Sequence, residues 1–185
     1  MKAAKLLVLC SICAALSIAG HAQMLITGVI DGPLSGGTPK AIEFYALENI
    51  ADLSIYGFGS ANNGGGTDGE EFTFPAETVT KGQFISVSYE TPYFNSFFNH
   101  DPDYTSGFAA IELFRNGAVI DIFGDINVDG TGQPWEYLDG WAYRNNGTNA
   151  DGDSFSIDNW AFSGINALDG ESTNSTATTP FPIGT

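Results

Sequence analysis

The stretch AAIELFRNGAVIDIF (Ala109–Phe123) decides the fold that we expect for this chain. Two runs of alternating apolar and polar residues, Ala109–Arg115 and Ala118–Phe123, flank the dipeptide Asn116-Gly117. Asn-Gly between alternating runs is the strongest short-range hairpin signal, because both central residues of a type I′ turn need positive φ. The stretch therefore predicts two adjacent antiparallel strands.

Short strand-like segments separated by turns continue on both sides of this hairpin. Alternation or apolar composition marks the following segments: Met24–Ile30, Lys40–Leu47, Leu53–Phe58, Glu71–Phe74, Gln83–Tyr89, Trp135–Tyr143, Ser154–Ile157 and Trp160–Phe162. The aromatic run Tyr93–Phe98 fits a short helical turn that plugs one end of the fold, and Ser172–Thr185 reads as extended. About eight or nine short strands without an ordinary amphipathic helix favour an all-β sandwich.

Residues 1–22 have the pattern of a signal peptide. Lys2 and Lys5 precede an apolar run from Leu6 to Ala19, and Gly20-His21-Ala22 carries small residues where a signal peptidase cuts. The apolar run is too short for a membrane span, and no later segment qualifies. We therefore expect a secreted or cell-surface protein with one domain at residues 23–185, without cysteine in that domain.

The composition is strongly acidic. The formal charge of the chain is −16, and removal of Lys2 and Lys5 with the leader leaves four basic residues against 22 acidic ones. Such a charge disfavours direct binding of nucleic acid, whose phosphates are contacted mainly by Lys and Arg. A solvated acidic surface and a set of carboxylates that holds divalent ions both explain this composition.

The segment DINVDGTGQPWE (125–136) matches a calcium-loop pattern. It has oxygen-bearing side chains at positions 1, 3 and 5, Gly at position 6 and Glu at position 12. The ligands expected for Ca²⁺, a hard ion that prefers oxygen, are Asp125, Asn127, Asp129, Thr131 (through its backbone carbonyl) and Glu136. The alternative is a polar turn in an acidic chain.

Glu136 is the least regular member of this set, because Pro134 and Trp135 stiffen its approach. Four other carboxylates are candidates to replace it: Asp121, Asp139, Asp151 and Asp153. Residues 150–154 (ADGDS) form a weaker second pattern of the same kind.

The aromatic residues of the C-terminal half admit two interpretations. Trp135, Tyr137, Trp141, Tyr143 and Trp160 could form a platform for sugar rings or an interface, but we expect most of them in the core. His100 is the only histidine after the leader, so neither a histidine-based zinc site nor a Ser-His-Asp triad can be assembled. The sequence favours a protein that is not an enzyme.

The order of segments resembles the lamin-tail domain family, an immunoglobulin-like sandwich, in its bacterial secreted branch. The resemblance covers residues 24–125 and rests on LITGVI (25–30), KAIEFYAL (40–47), DLSIYGF (52–58), VTKGQFISVS (79–88) and IELFRNGAVIDIFG (111–124). It implies an accessory, adhesion or assembly role without catalytic machinery. Glu43, central in KAIEFYAL, is the residue that matches the pattern of the family.

We therefore expect a secreted, calcium-stabilised, non-catalytic module for binding, adhesion or assembly. Its expected partners are other copies of itself, or a protein or glycan outside the cell. One alternative is a subunit of an extracellular homopolymeric filament, in which a terminal strand adds to the sheet edge of a neighbour. The other is a hydrolase of glycan or nucleic acid that uses paired carboxylates.

Overall fold

The computed structural model describes residues 22–61, 64–106 and 110–185, so the predicted leader lies almost wholly outside the described residues. In chain order its elements are β1 (Met24–Leu34), β2 (Thr38–Ala46), β3 (Tyr56–Ala61), β4 (Phe72–Thr73), β5 (Phe84–Ser88), α1 (Thr91–Phe98), β6 (Tyr104–Thr105), β7 (Ala110–Arg115), β8 (Ala118–Phe123), β9 (Gly140–Arg144) and β10 (Trp160–Phe162). Short 3-10 turns cover Leu53–Ile55, Ile157–Asn159 and Asn174–Thr176.

The strands form two sheets, which confirms the expected β-sandwich. The larger sheet has the order β10-β9-β1-β2-β5-β6, and the smaller one has the order β4-β3-β7-β8. Neighbouring strands are antiparallel except β5 and β6. The described ranges hold ten strands instead of the expected eight or nine, and the two-residue strand β6 is one that no sequence pattern predicted.

The main core lies between the two sheets. Period-two alternation places Ile42, Phe44 and Ala46 of β2 in this core and turns Ala41 to the opposite face, as expected. The smaller sheet contributes Phe58, whose ring centroid lies 5.6 Å from that of Phe44. Burial of these apolar faces on both sheets is what holds the sandwich together.

The hairpin predicted from Asn116-Gly117 is confirmed as β7 and β8. Asn116 has φ +50° and Gly117 has φ +76°, the left-handed pair that a type I′ turn requires. Arg115 pairs directly with Ala118 across the turn.

The outer face of the larger sheet is covered by α1 and by the C-terminal segment. Phe94 and Phe97 of α1, together with Leu168 and Phe181, pack on four side chains of this face: Ile30, Ala41, Trp141 and Tyr143. The expectation that the aromatic turn plugs an end of the sandwich was wrong, because its buried rings lie on a sheet face. Gly28 makes this cover possible, since a Cβ there would lie 2.6 Å from Cζ of Phe181.

Three of the predicted strands are replaced wholly or partly by turns or loops, and two of them are Leu53–Phe58 and Ser154–Ile157. Leu53–Phe58 begins with a 3-10 turn, because the carboxylate of Asp52 accepts hydrogen bonds from the backbone N–H (3.0 Å) and hydroxyl (2.6 Å) of Ser54. Ser154–Ile157 contains no strand, although Phe155 packs against the core.

The segment Trp135–Tyr143 is a strand only from Gly140 onward. Its first half is a loop, because the N–H of Glu136 donates to the carbonyl of Gln133 at 3.0 Å and Asp139 has φ +43°. An extended strand allows neither feature. The alternation of aromatic residues here reflects packing of individual rings and not a continuous strand.

Candidate binding site

The predicted calcium loop directly follows β8 and is organised by its own side chains. The Asp125 carboxylate accepts the N–H of Asn127 at 2.9 Å, and the Asp129 carboxylate accepts the N–H of Thr131 at 2.9 Å. The N–H of Gly132 donates to the Glu136 carboxylate at 2.7 Å. Short polar side chains that bond to backbone two residues ahead are typical of tight loops.

The electrostatics of this loop favour the charged form of Asp129. The backbone N–H of Thr131, and then its hydroxyl, hold the pKa of Asp129 below its ordinary value. Asp125 and Glu136 each use only one carboxylate oxygen, so the other has no hydrogen-bond partner within the described ranges.

The structure brings most of the expected calcium ligands to one cleft but does not gather them around a point. Asp125, Asp129, Thr131 and Glu136 all line it, whereas Asn127 lines a neighbouring groove with Asp153. Within residues 22–61, 64–106 and 110–185, no three His, Cys, Asp or Glu side chains form a group that could hold a metal ion. The donor set is all oxygen, which is the chemistry that Ca²⁺ prefers.

Two of the carboxylates considered as replacements for Glu136 belong to a different cluster. Arg144 donates to both carboxylate oxygens of Asp121 at 2.7 and 2.8 Å, and to the carbonyls of Ile26 (2.7 Å) and Asn149 (2.8 Å). The Asp121 carboxylate also accepts the backbone N–H of Ile26 at 2.8 Å and that of Asp151 at 2.7 Å. This cluster joins the two sheets, because Asp121 lies on β8 and Arg144 on β9.

The Asp121–Arg144 cluster is buried and has a structural role. Its two charged side chains are almost fully enclosed, and Asp151 lies 3.5 Å from Arg144. The guanidinium of Arg144 also lies 4.5 Å from the ring centroid of Trp160, which favours a cation–π contact. Burial raises the pKa of Asp121 to about 6, although the charge of Arg144 acts in the opposite direction.

Glu43 lies in a second buried polar network, on the outer face of the larger sheet. Its carboxylate accepts hydrogen bonds from the hydroxyls of Thr27 (2.8 Å) and Tyr143 (2.6 Å) and from the N–H of Gly184 (2.7 Å). Burial raises the pKa of Glu43, and these hydrogen bonds oppose that rise. The geometry gives Glu43 a role in binding the C-terminal segment to the sheet.

The cleft beside residues 124–138 has a volume of about 320 Å³, at the small end of the range for ligand clefts. Its wall on the sandwich side includes Ile30 and Phe123 and the ion pair between Asp31 and Lys40. Its rim carries two exposed apolar side chains, Val128 and Leu138. The cleft is therefore lined by carboxylates and by aromatic side chains.

The aromatic residues divide as the sequence suggested. Trp141, Tyr143 and Trp160 are buried, whereas Trp135 and Tyr137 are half-buried and line the cleft. Asp31 and Lys40 also line this site, although no sequence pattern predicted them. They lie about ninety residues before the loop, and no local pattern could connect strand β1 or β2 with it.

Fold and site together define an all-β sandwich module with an acidic cleft at one loop. Comparison of the chain with protein-family models, curated proteins and solved structures gives no match. In the described part of the chain, no helix is long and apolar enough to cross a membrane.

Proposed function

We propose that this protein is a secreted, non-catalytic binding module whose ligand surface is the cleft beside residues 124–138. The observation that carries the proposal is the concave site itself, in which carboxylates, two aromatic side chains and two exposed apolar side chains meet. Ligand-binding sites are typically concave and combine apolar and aromatic side chains with a few polar groups.

An immunoglobulin-like sandwich of the lamin-tail kind is the proposed fold family. Two features support it beyond the order of strands. Glu43 lies at the centre of β2, and Asp52 caps the 3-10 turn that leads into β3. Both residues belong to the segments on which the resemblance rests.

Calcium is the proposed ion of this module. Asp125, Asp129 and Glu136 border one cleft, and their ligand atoms are hard oxygens. Binding would draw these carboxylates together and order the loop that carries Trp135. The loop hydrogen bonds already formed by Asp125 and Asp129 reduce the entropy that such ordering would cost.

A thermal melt of residues 23–185 with calcium and with a chelator tests this proposal. Binding to the native state alone adds about 2.7 kcal/mol of stability at a hundredfold excess over Kd. We expect calcium to raise the melting temperature, and we expect this effect to be lost in Asp125→Ala and in Asp129→Ala.

Asp169→Ala is the matched control, because it removes an exposed carboxylate that makes no side-chain hydrogen bond to any described residue. It should keep the calcium response. If calcium leaves the melting temperature of the parent chain unchanged, the proposal of a calcium ion is refuted. If Asp169→Ala loses the calcium response as fully as Asp125→Ala does, the proposed location of the ion is refuted.

The filament alternative rested on terminal strands that could join a neighbour. Strand β1 instead lies between β9 and β2 in the interior of the larger sheet. Phe181 of the C-terminal segment packs on the sheet of its own chain. We therefore do not put the filament forward as a second function.

A further inference from the structure

Two hydrogen-bond donors in the cleft have no partner in the described part of the chain. They are the indole N–H of Trp135 and the hydroxyl of Tyr137. The indole Nε1 borders Gly124 and Gly130, both of which line the cleft, and would lie 3.6 and 3.5 Å from a Cβ built on them. Neither donor is sealed from solvent, since the sealed and unpaired polar atoms in the described ranges belong to Glu112 and Arg115.

The position of the Tyr137 hydroxyl is fixed by the core. Its ring packs edge-on against Phe123, with centroids 5.4 Å apart. Burial, and then the nearby carboxylate of Asp31, raise the pKa of Tyr137, so this hydroxyl stays protonated and remains a donor. A rigid donor that is ready for an acceptor is typical of a binding site.

Acceptors lie on the same surface. Asp125 and Glu136 line the same cleft, and each has one carboxylate oxygen without a hydrogen-bond partner among the described residues. The cleft therefore combines donors and acceptors with two exposed apolar side chains, Val128 and Leu138.

From this arrangement we infer that the ligand of the cleft is a carbohydrate. A sugar ring has hydroxyls that both donate to carboxylates and accept from indole and phenol groups, and its C–H faces pack on apolar side chains. A cationic ligand would satisfy the carboxylates but would leave the donors of Trp135 and Tyr137 unpaired. The inference rests on the proposed function and adds the class of ligand.

A second cleft, of about 510 Å³, differs in its charge, because no Asp or Glu is among the described residues that line it. Three of its polar side chains, Thr27, Tyr143 and Arg144, already make internal hydrogen bonds. This cleft therefore lacks the carboxylate acceptors on which the inference depends.

The experiment is a calorimetric titration of residues 23–185 with defined gluco-, xylo-, manno- and chito-oligosaccharides, in calcium. We expect at least one series to bind. Tyr137→Phe removes a hydroxyl that has no partner among the described residues, so it should leave the melting temperature unchanged but weaken binding about tenfold. Glu136→Gln should also weaken binding. Tyr93→Phe, an exposed tyrosine on α1, is the control and should bind like the parent chain.

The inference is overturned if none of the oligosaccharides binds at millimolar concentration, or if Tyr137→Phe and Glu136→Gln bind like the parent. Binding of spermidine at the cleft in place of the sugars would also overturn it. The calcium melt described above needs no sugar, so a preserved calcium response with no sugar binding would refute only the ligand class.

Discussion

Asp121 and Arg144 illustrate how an acidic chain uses one of its few basic residues. Arg144 is 5% exposed, and its guanidinium bonds to a carboxylate and to two backbone carbonyls. Strand β9 does not pair with Ile26. Instead, the backbone N–H of Ile26 donates to Asp121, and its carbonyl accepts a hydrogen bond from Arg144. Removing one partner of such a buried ion pair lowers stability strongly, because the charge of the other partner then stays buried without compensation.

We expect Asp121→Ala to lower the free energy of unfolding by about 3–5 kcal/mol, since it strands the Arg144 charge and two backbone N–H groups. Urea unfolding of the variant measures this loss. Asp153→Ala removes an exposed carboxylate and should cost little by comparison. A double variant with Arg144→Met should lose less than the sum of the single losses. Equal costs for Asp121→Ala and Asp153→Ala would contradict the structural role.

At the scale of elements, the fold has a third layer that alternation along the strands does not reveal. Helix α1 and the C-terminal segment form a second apolar cluster on the outer face of the larger sheet. Trp141 is tied to this layer by its indole N–H, which donates to the carbonyl of Thr179 at 2.9 Å. Phe181 packs edge-on against Tyr143, with centroids 5.4 Å apart.

Phe181→Ala should therefore destabilise the protein by about 3–5 kcal/mol, the usual cost of removing a buried aromatic ring. It should also increase binding of a hydrophobic dye, because the outer face around Trp141 and Tyr143 would open. Chemical unfolding and dye fluorescence measure the two effects. Tyr93→Ala removes an aromatic ring that is 44% exposed and serves as the control. Loss of stability in Tyr93→Ala equal to that in Phe181→Ala would refute the packing role.

For the whole molecule, buried carboxyl groups and the high negative charge both influence how stability changes with pH. Burial raises the pKa of Glu43 above 4.5 and that of Asp121 to about 6. Between the unfolded and folded pKa, such a carboxyl binds more protons in the native state, so the free energy of unfolding falls as pH rises. Repulsion among the many acidic residues acts in the same direction.

We therefore expect residues 23–185 to be more stable at pH 5 than at pH 8. In Glu43→Gln this difference should be smaller, because the raised pKa of one carboxyl has been removed. Chemical denaturation at several pH values gives the slopes. Glu77→Gln removes an exposed carboxyl of the same charge and should keep the slope of the parent. Identical slopes for Glu43→Gln and the parent would contradict the contribution of Glu43.

The sequence by itself determined the strands whose signals are local. Asn116-Gly117 specified the hairpin because its turn depends on the φ preferences of two adjacent residues. Alternation in β2 separated Ile42, Phe44 and Ala46 from Ala41, since a strand has a fixed period. The two-sheet architecture followed from such segments.

Only the tertiary structure decided which distant residues meet. It placed Asp31 and Lys40 beside the loop at 125–136, removed Asp121 from the set of metal candidates by pairing it with Arg144, and turned Trp135 and Tyr137 toward a cleft. It also divided the segment Trp135–Tyr143 into loop and strand at Asp139. Alternation fixes the face of a residue within its own strand, but contacts between segments depend on the packing of the whole chain, which local patterns do not encode.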